Sequence, residues 1–421
     1  MMKRKKGINL FRFCVLTTVP FIVCAIGLIG YAQAADKPIE IGWINPMTGP
    51  VSATGDINHK GAQFAVEKIN AAGGIKSLGG RKIKLVVGDS EGKPEVGVNQ
   101  TERLIRRGVV GLQGCYQSGV TYPATAVSER QKVPFLVSMA YADPITQRGF
   151  KYTFRLCTRT GLLGVDMLTF TRELYKAHNT PFKTAVFIFD DSLYGKMLWD
   201  SIEPIYKKGG IEIKDMIFHP VGATDVSAEV IRAKKADADA FFIHAYASDG
   251  ILFIKTMREL GFNPPAVICP GAGPKVASYL ESLGKLAEYV YVLNDTNWDV
   301  SERARKLNEE FKKRHGIDLS GLSMFDYAGV WVWKEVLEKA GTTDREKLRE
   351  TFATIEITNP EVMEVLPFDK IKFGPDGQNM YVRNTMAMVK DGVLRTVWPT
   401  ENASFKWVFP APTWEEKLQG K

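Results

Sequence analysis

Histidine and cysteine are scarce in this chain, with five of each in 421 residues. His59, His178, His219, His244 and His315 form no His-x-x-x-His pair, and no Cys-x-x-Cys occurs. The usual zinc patterns are therefore missing, and neither a metal nor any other cofactor is expected. Beyond the first 34 residues only Cys115, Cys157 and Cys269 remain, an odd number with no framework spacing, which reads as three buried thiols. Cys115 has no electropositive neighbour in sequence that would activate it as a nucleophile. Phosphate and nucleotide cradles are missing too. Lys196 follows Gly195, but Asp190 and Met197 break the phosphate-loop pattern, and Gly271-Ala272-Gly273 has Val276 where a third small residue is needed. Ser118 lies between Tyr116 and Val120, not between the glycines of a nucleophile elbow. No short-period repeat and no low-complexity tract appears. An enzyme is not expected.

Excess charge is also small once the start of the chain is set apart. Lys3, Arg4, Lys5, Lys6 and Arg12 precede an apolar run from Phe13 to Tyr31 and then Ala32-Gln33-Ala34. This order reads as a secretory signal peptide, residues 1–34, cut after Ala34. The run is long enough to serve instead as an uncleaved anchor, but Pro20, Gly27, Gly30 and the small-x-small ending favour cleavage. The leader holds five of the 55 basic residues, so without it the net charge falls from +8 to +3. No basic stripe interleaved with aromatics remains, and a nucleic-acid partner is not expected.

What is present is an ordinary globular composition, 45% hydrophobic and 24% charged, over 387 residues after the leader. That length exceeds what one core usually supports, so two domains are expected. Ile39 to Ile44 reads as a strand and Asn45 to Pro50 as a loop; Ala62, Ala65, Val66 and Ile69 then fall on one helical face that Gly73-Gly74 ends. Lys82 to Val87 reads as a strand, Pro94 to Arg107 as a helix, Val109 to Leu112 as a strand and Val133 to Val137 as another. Strict alternation implies parallel pairing with right-handed crossovers. From Thr158 the pattern restarts, with strands at 184–189, 211–218, 240–244 and 265–269 alternating with helices. Tyr289 to Gly392 adds a strand, two helices, one carrying Trp331 and Trp333, and a polar strand region around Asp376-Gly377. Two tryptophans two apart cannot share one helical face, and neither is expected at a site.

The stretch from Gly111 to Tyr122 stands out within this pattern. It places Ser118 and Gly119 where a strand ends and a helix begins, and a helix start offers unpaired N–H groups and partial positive charge to an anion. Ligands of open α/β sheets bind beyond the strand C-termini, here 45–55, 115–119 and 138–143 in the first half. The corresponding loops in the second half are 190–195, 245–250 and 270–273.

These residues carry a resemblance. Pro46-Met47-Thr48-Gly49-Pro50, Gly55-Asp56, Gly61 to Ala65 and Ile69 to Ile75 resemble the start of periplasmic substrate-binding proteins of ABC transporters, of the type I, Leu/Ile/Val-binding-like class. Asp89-Ser90, Thr121 to Ala124, Arg148 to Phe150, Phe154-Arg155, Asp191 to Gly195 and Ile254 to Phe262 extend the resemblance in order along the chain. It implies two doubly wound α/β lobes joined by three hinge crossings, with lobe 1 at 36–157 plus 293–375 and lobe 2 at 158–292 plus 376–421. It also implies a periplasmic monomer that closes on a small ligand and delivers it to an inner-membrane ABC permease. By position, Ser118 resembles the serine that holds the ligand carboxylate and Gln117 its neighbour, while Met139, Ala140 and Tyr141 form the second carboxylate-binding turn. Thr54 falls where the first loop lines the pocket, and Tyr194 and Tyr246 where second-lobe aromatics cover the ligand. Two positions depart from the pattern: Thr160 stands where amino acid binders tend to have Asp, and Gly271 where they have Glu, the partners of the ligand ammonium.

A buried ammonium without a carboxylate partner is costly. The expected ligand is therefore a carboxylate without an α-ammonium group, aromatic or hydrophobic given Tyr116, Tyr141, Tyr194 and Tyr246. Alternatives are a branched-chain or other amino acid, or a sensor of the same fold that signals to a membrane regulator.

Overall fold

A computed structural model describes residues 37–363 and 365–420. The signal-peptide reading lies outside the described residues. Among the described residues, twelve of fourteen strands and the helices between them form two α/β layers. The first sheet holds β1 (Ile39–Asn45), β2 (Ile83–Asp89), β3 (Gly111–Gly114), β4 (Phe135–Val137) and β5 (Thr153–Arg155) in the order β2-β1-β3-β4-β5, all parallel. The second holds β6 (Thr184–Asp190), β7 (Glu212–His219), β8 (Ala240–Ile243), β9 (Val267–Cys269) and β10 (Val290–Asn294). After a small pair, β11 (Glu356–Ile357) and β12 (Ile371–Lys372), that sheet gains β13 (Thr385–Lys390) and β14 (Val393–Trp398), in the order β14-β13-β10-β9-β8-β6-β7.

Among the described strands of the second sheet only β13 runs against the rest, pairing antiparallel with both β10 and β14. The polar strand region expected at Asp376-Gly377 is a turn instead, and the strands follow it. Their signal is Asp391-Gly392, both at positive φ, 54° and 73°, as a two-residue hairpin requires.

The parallel strands are short apolar runs because helices cover both of their faces. In β8 all four residues are buried. The helix Gly321–Ala340 covers the first sheet, with Trp333 fully buried so close to Gly111 that a Cβ there would meet the indole at 2.0 Å. Trp331 is buried as well, since this helix is enclosed on several sides. It packs most extensively on the helix Ser52–Ala71, and Gly61 lets the backbones approach: a Cβ there would lie 2.2 Å from the Ser323 carbonyl oxygen. The helix Ser52–Ala71 begins before Gly55, so Thr54 stands on its first turn and not on the loop expected from the sequence.

The chain crosses between the layers three times, after β5, after β10 and before β13. Two crossings run side by side, bonded from Gln378 Nε2 to the Cys157 carbonyl at 2.9 Å and from Asn379 Nδ2 to the Leu156 carbonyl at 3.2 Å. Cys115, Cys157 and Cys269 are buried and unpaired, and burial pushes the Cys157 thiol up to about 12, far from reactive thiolate chemistry.

Candidate functional site

The strand order reverses between β1 and β3 in the first sheet and between β6 and β8 in the second, so the loops leaving these strands splay apart and open a crevice. The two crevices face each other. Tyr116, Gln117, Ser118 and Tyr141 from the first lobe meet Tyr194, His244, Tyr246 and Ala272 from the second, and with Leu322 they line a narrow cavity. Two ring pairs close the gap, Tyr116 to Tyr246 at 6.2 Å between centroids and Tyr141 to Tyr194 at 5.7 Å, and Tyr194 packs on His244 of its own lobe at 4.7 Å. The space left free among these side chains holds only about one water molecule, so a ligand of amino acid size enters only when the lobes part.

Two helices begin at this cavity without a side-chain cap. One is Ser118–Arg130, preceded by Gln117; the other is Ala247–Glu259, preceded by Tyr246. Each presents first-turn N–H groups and the positive end of its dipole to the enclosed space. The Ala142 N–H donates to Ser118 Oγ at 3.2 Å, which ties the turn after β4 to the start of the first of these helices.

Burial raises the pKa of Tyr141, Tyr194 and Tyr246 well above the ordinary phenol range, and nearby carboxylates add to the effect. The phenols are neutral donors. Tyr194 donates to the Pro270 carbonyl at 2.9 Å and Tyr141 to Asp295.

The expected site residues distribute as follows. Ser118, Gln117, Tyr141, Tyr194 and Tyr246 line the cavity together. Met139, Ala140, Thr54, Thr160 and Gly271 stand outside its lining. Met139 Sδ receives the Tyr141 hydroxyl at 3.9 Å, and Ala140 gives its carbonyl to Arg155 Nη1 at 3.3 Å. Thr54 bonds the Tyr116 phenol. Thr160 donates its N–H to the Tyr141 carbonyl and takes the Ser201 hydroxyl, both at 2.9 Å. Gly271 has φ +122° and borders the space between Lys275 and Tyr194.

Sequence reasoning passed over four polar residues here. His244 lines the cavity and is held by Asp190 behind it. Burial works to raise the pKa of Asp190, but His244 and Ser192 outweigh it and the carboxyl sits below its usual range. Lys275 and Asp295, each almost fully buried, pair at 3.3 Å. Burial lowers the Lys275 pKa and Asp295 opposes it. Only position beyond a strand end, the 270–273 loop after β9 and the end of β10, could have pointed to this pair. Among the described residues no cluster of three or more His, Cys, Asp or Glu side chains is placed to hold a metal.

The family model described as periplasmic binding protein matches residues 38–392. A Leu/Ile/Val-binding protein homolog 7 from Brucella suis biovar 1 is 30% identical over 387 residues, spanning 88% of this chain and 94% of its own. Among solved structures, the substrate-binding protein of a branched-chain amino acid transporter from Streptococcus pneumoniae, in complex with isoleucine, superposes with a TM-score of 0.74 at 23% identity, covering 86% of this chain and all of that one. A solute-binding protein of an ABC transporter from Rhodopseudomonas palustris BisB5, in complex with 3,4-dihydroxybenzoic acid, also reaches 0.74, at 21% identity over 90% of this chain and 99% of that one. The relatives are substrate-binding components of transporters, not enzymes.

Proposed function

Since the chain belongs to the periplasmic binding protein family, we propose that it is the solute-binding component of an ABC importer and closes on a small carboxylate, an aromatic or hydrophobic acid without an α-ammonium group. The observation that carries this reading is the composition of the cavity wall. Four tyrosines and two uncapped helix starts surround the space, and among the described residues no acidic side chain lines it. The nearby acids already have partners, Asp190 in His244 and Asp295 in the Lys275 cation, which compensates the Asp295 charge although its Oδ1 accepts no hydrogen bond. A carboxylate is well matched to the helix starts, whereas an ammonium would be buried without a free counter-charge.

In this reading Ser118 and Gln117, with the turn Met139, Ala140 and Tyr141, hold the acid; Tyr194 and Tyr246 cover it; Thr54 and Thr160 support Tyr116 and Tyr141 from behind; and Gly271 leaves room. Lobe 1 is 36–157 plus 293–375 and lobe 2 is 158–292 plus 376–421. The protein is exported by the leader at residues 1–34, acts as a monomer in the periplasm and presents its closed form to an inner-membrane permease. Contacts to both lobes favour the closed state over the open one, and that difference is the signal the permease reads.

A branched-chain amino acid is the second reading, favoured by the Leu/Ile/Val-binding name of the Brucella relative. Denaturing the purified protein and identifying the released small molecules by mass spectrometry separates the two. An aromatic or aliphatic acid is expected; leucine, isoleucine or valine as the released species would replace the first reading with the second.

A further inference from the structure

Behind Tyr141 the cleft has a second polar pole. Lys275 closes the turn after β9 and Asp295 follows β10, so two neighbouring parallel strands bring both side chains to the same edge of the second sheet. Both are almost fully buried and neither is satisfied. Asp295 Oδ1 has no hydrogen-bond partner. The one hydrogen bond of the Lys275 ammonium goes to Asp295 Oδ2 at 3.3 Å, although the group carries three protons. A buried carboxylate oxygen left without a donor keeps its desolvation cost unrepaid, so an arrangement of this kind points to a missing partner.

Two further observations give the direction and chemistry of that partner. Gly271 opens the way to the pair: a Cβ there would meet only Lys275 Nζ and the Tyr194 hydroxyl, each at 3.9 Å. Asp295, one residue beyond β10 at the crossing to the first lobe, also takes the phenol of Tyr141 at Oδ2, and that ring stands 5.7 Å from Lys275 Nζ. When the lobes part, the Tyr141 ring moves off Lys275 and the pair at the hinge side of the second sheet opens to the cleft.

We infer that Lys275 and Asp295 read the far end of the ligand, and that this end carries a hydroxyl, the group that accepts from Lys275 and donates to Asp295 Oδ1 at once. The inference rests on the acid reading and specifies it: the ligand is a hydroxylated aromatic acid, its carboxylate at the Ser118 helix start and its hydroxyl at the pair. A carboxamide shares the same donor and acceptor chemistry. A second carboxylate is repelled by Asp295 and an ammonium by Lys275.

Calorimetric titration of the purified protein with benzoate, 3- and 4-hydroxybenzoate, 4-carbamoylbenzoate, terephthalate and isoleucine tests this. At least one hydroxybenzoate binds about tenfold or more tightly than benzoate, and terephthalate binds more weakly than either, as a site built to pair a donor and acceptor requires. A carbamoyl compound tighter than both hydroxybenzoates assigns the pole to an amide and overturns the hydroxyl. Benzoate and all its substituted forms within about threefold overturn the inference while leaving the acid reading intact. Isoleucine binding with none of the acids overturns the acid reading and the inference with it. Single variants leave one buried charge alone and are apt to unfold, so the pair is removed together as Lys275→Met with Asp295→Asn. That variant, its fold checked by circular dichroism, loses the discrimination, the ratio of hydroxybenzoate to benzoate affinity falling to within about threefold; a ratio kept at tenfold contradicts the role of the pair.

Discussion

Asp326 shows what a single buried acid does to this protein. Trp43 Nε1, Ser138 Oγ and Gln113 Nε2 donate to its Oδ1 at 2.9, 2.9 and 3.1 Å, and its Oδ2 has no partner. Burial pushes its pKa up to about 6, against the pull of those three donors. The folded state therefore binds this proton more tightly than the unfolded chain, whose carboxyl titrates near 4. The group adds stability that is full below about pH 4 and is lost as pH rises through about 6, and it leaves the fold less stable at pH 7 than at pH 5 by about 1 kcal/mol. In Asp326→Asn that part of the pH dependence disappears, measured by urea unfolding at the two pH values; an unchanged difference removes the explanation. Gly271 is constrained differently. Its φ of +122° suits glycine, while the space around a Cβ is adequate. Gly271→Ala is expected to cost about 1–2 kcal/mol in unfolding free energy through backbone strain alone, and a variant as stable as the parent would show that the strain is absent.

At the scale of elements, the pair of long helices Ser52–Ala71 and Gly321–Ala340 organises the first lobe. The 2.2 Å approach at Gly61 puts backbone against backbone, where neither side can move aside as a flexible side chain would. Gly61→Ala is expected to cost about 2–3 kcal/mol of stability, read as a shift in the urea midpoint; a shift under a tenth of that size would mean the helices re-dock freely. These elements differ in how far the sequence reveals them. The alternating strands and helices, and the helix start at Ser118, follow from periodicity and from turn residues. The helix Gly321–Ala340 begins five residues before Asp326, the start that its sequence pattern suggests, because that start is set by a reciprocal cap between Ser320 and Ser323, without the Glu that usually marks one. The antiparallel pair β13 and β14 was legible in Asp391-Gly392, but its buried Thr385–Val389 run does not alternate like a half-exposed hairpin. Lys275 and Asp295 are lone charged residues twenty positions apart, and only the sheet edge unites them.

Across the whole molecule, the two strand-order reversals face each other over a cavity that holds about one water in this closed form. In the proposed function the three crossings let the lobes part, a ligand enters, and contacts from both sides restore closure. Which ligand does so depends on whether the cleft favours a lone carboxylate or a carboxylate beside an ammonium. Isothermal calorimetry of the purified protein with benzoate and with isoleucine decides this. The account predicts a saturable heat with benzoate and none with isoleucine at the same concentrations; saturable binding of isoleucine with no heat from benzoate would contradict it.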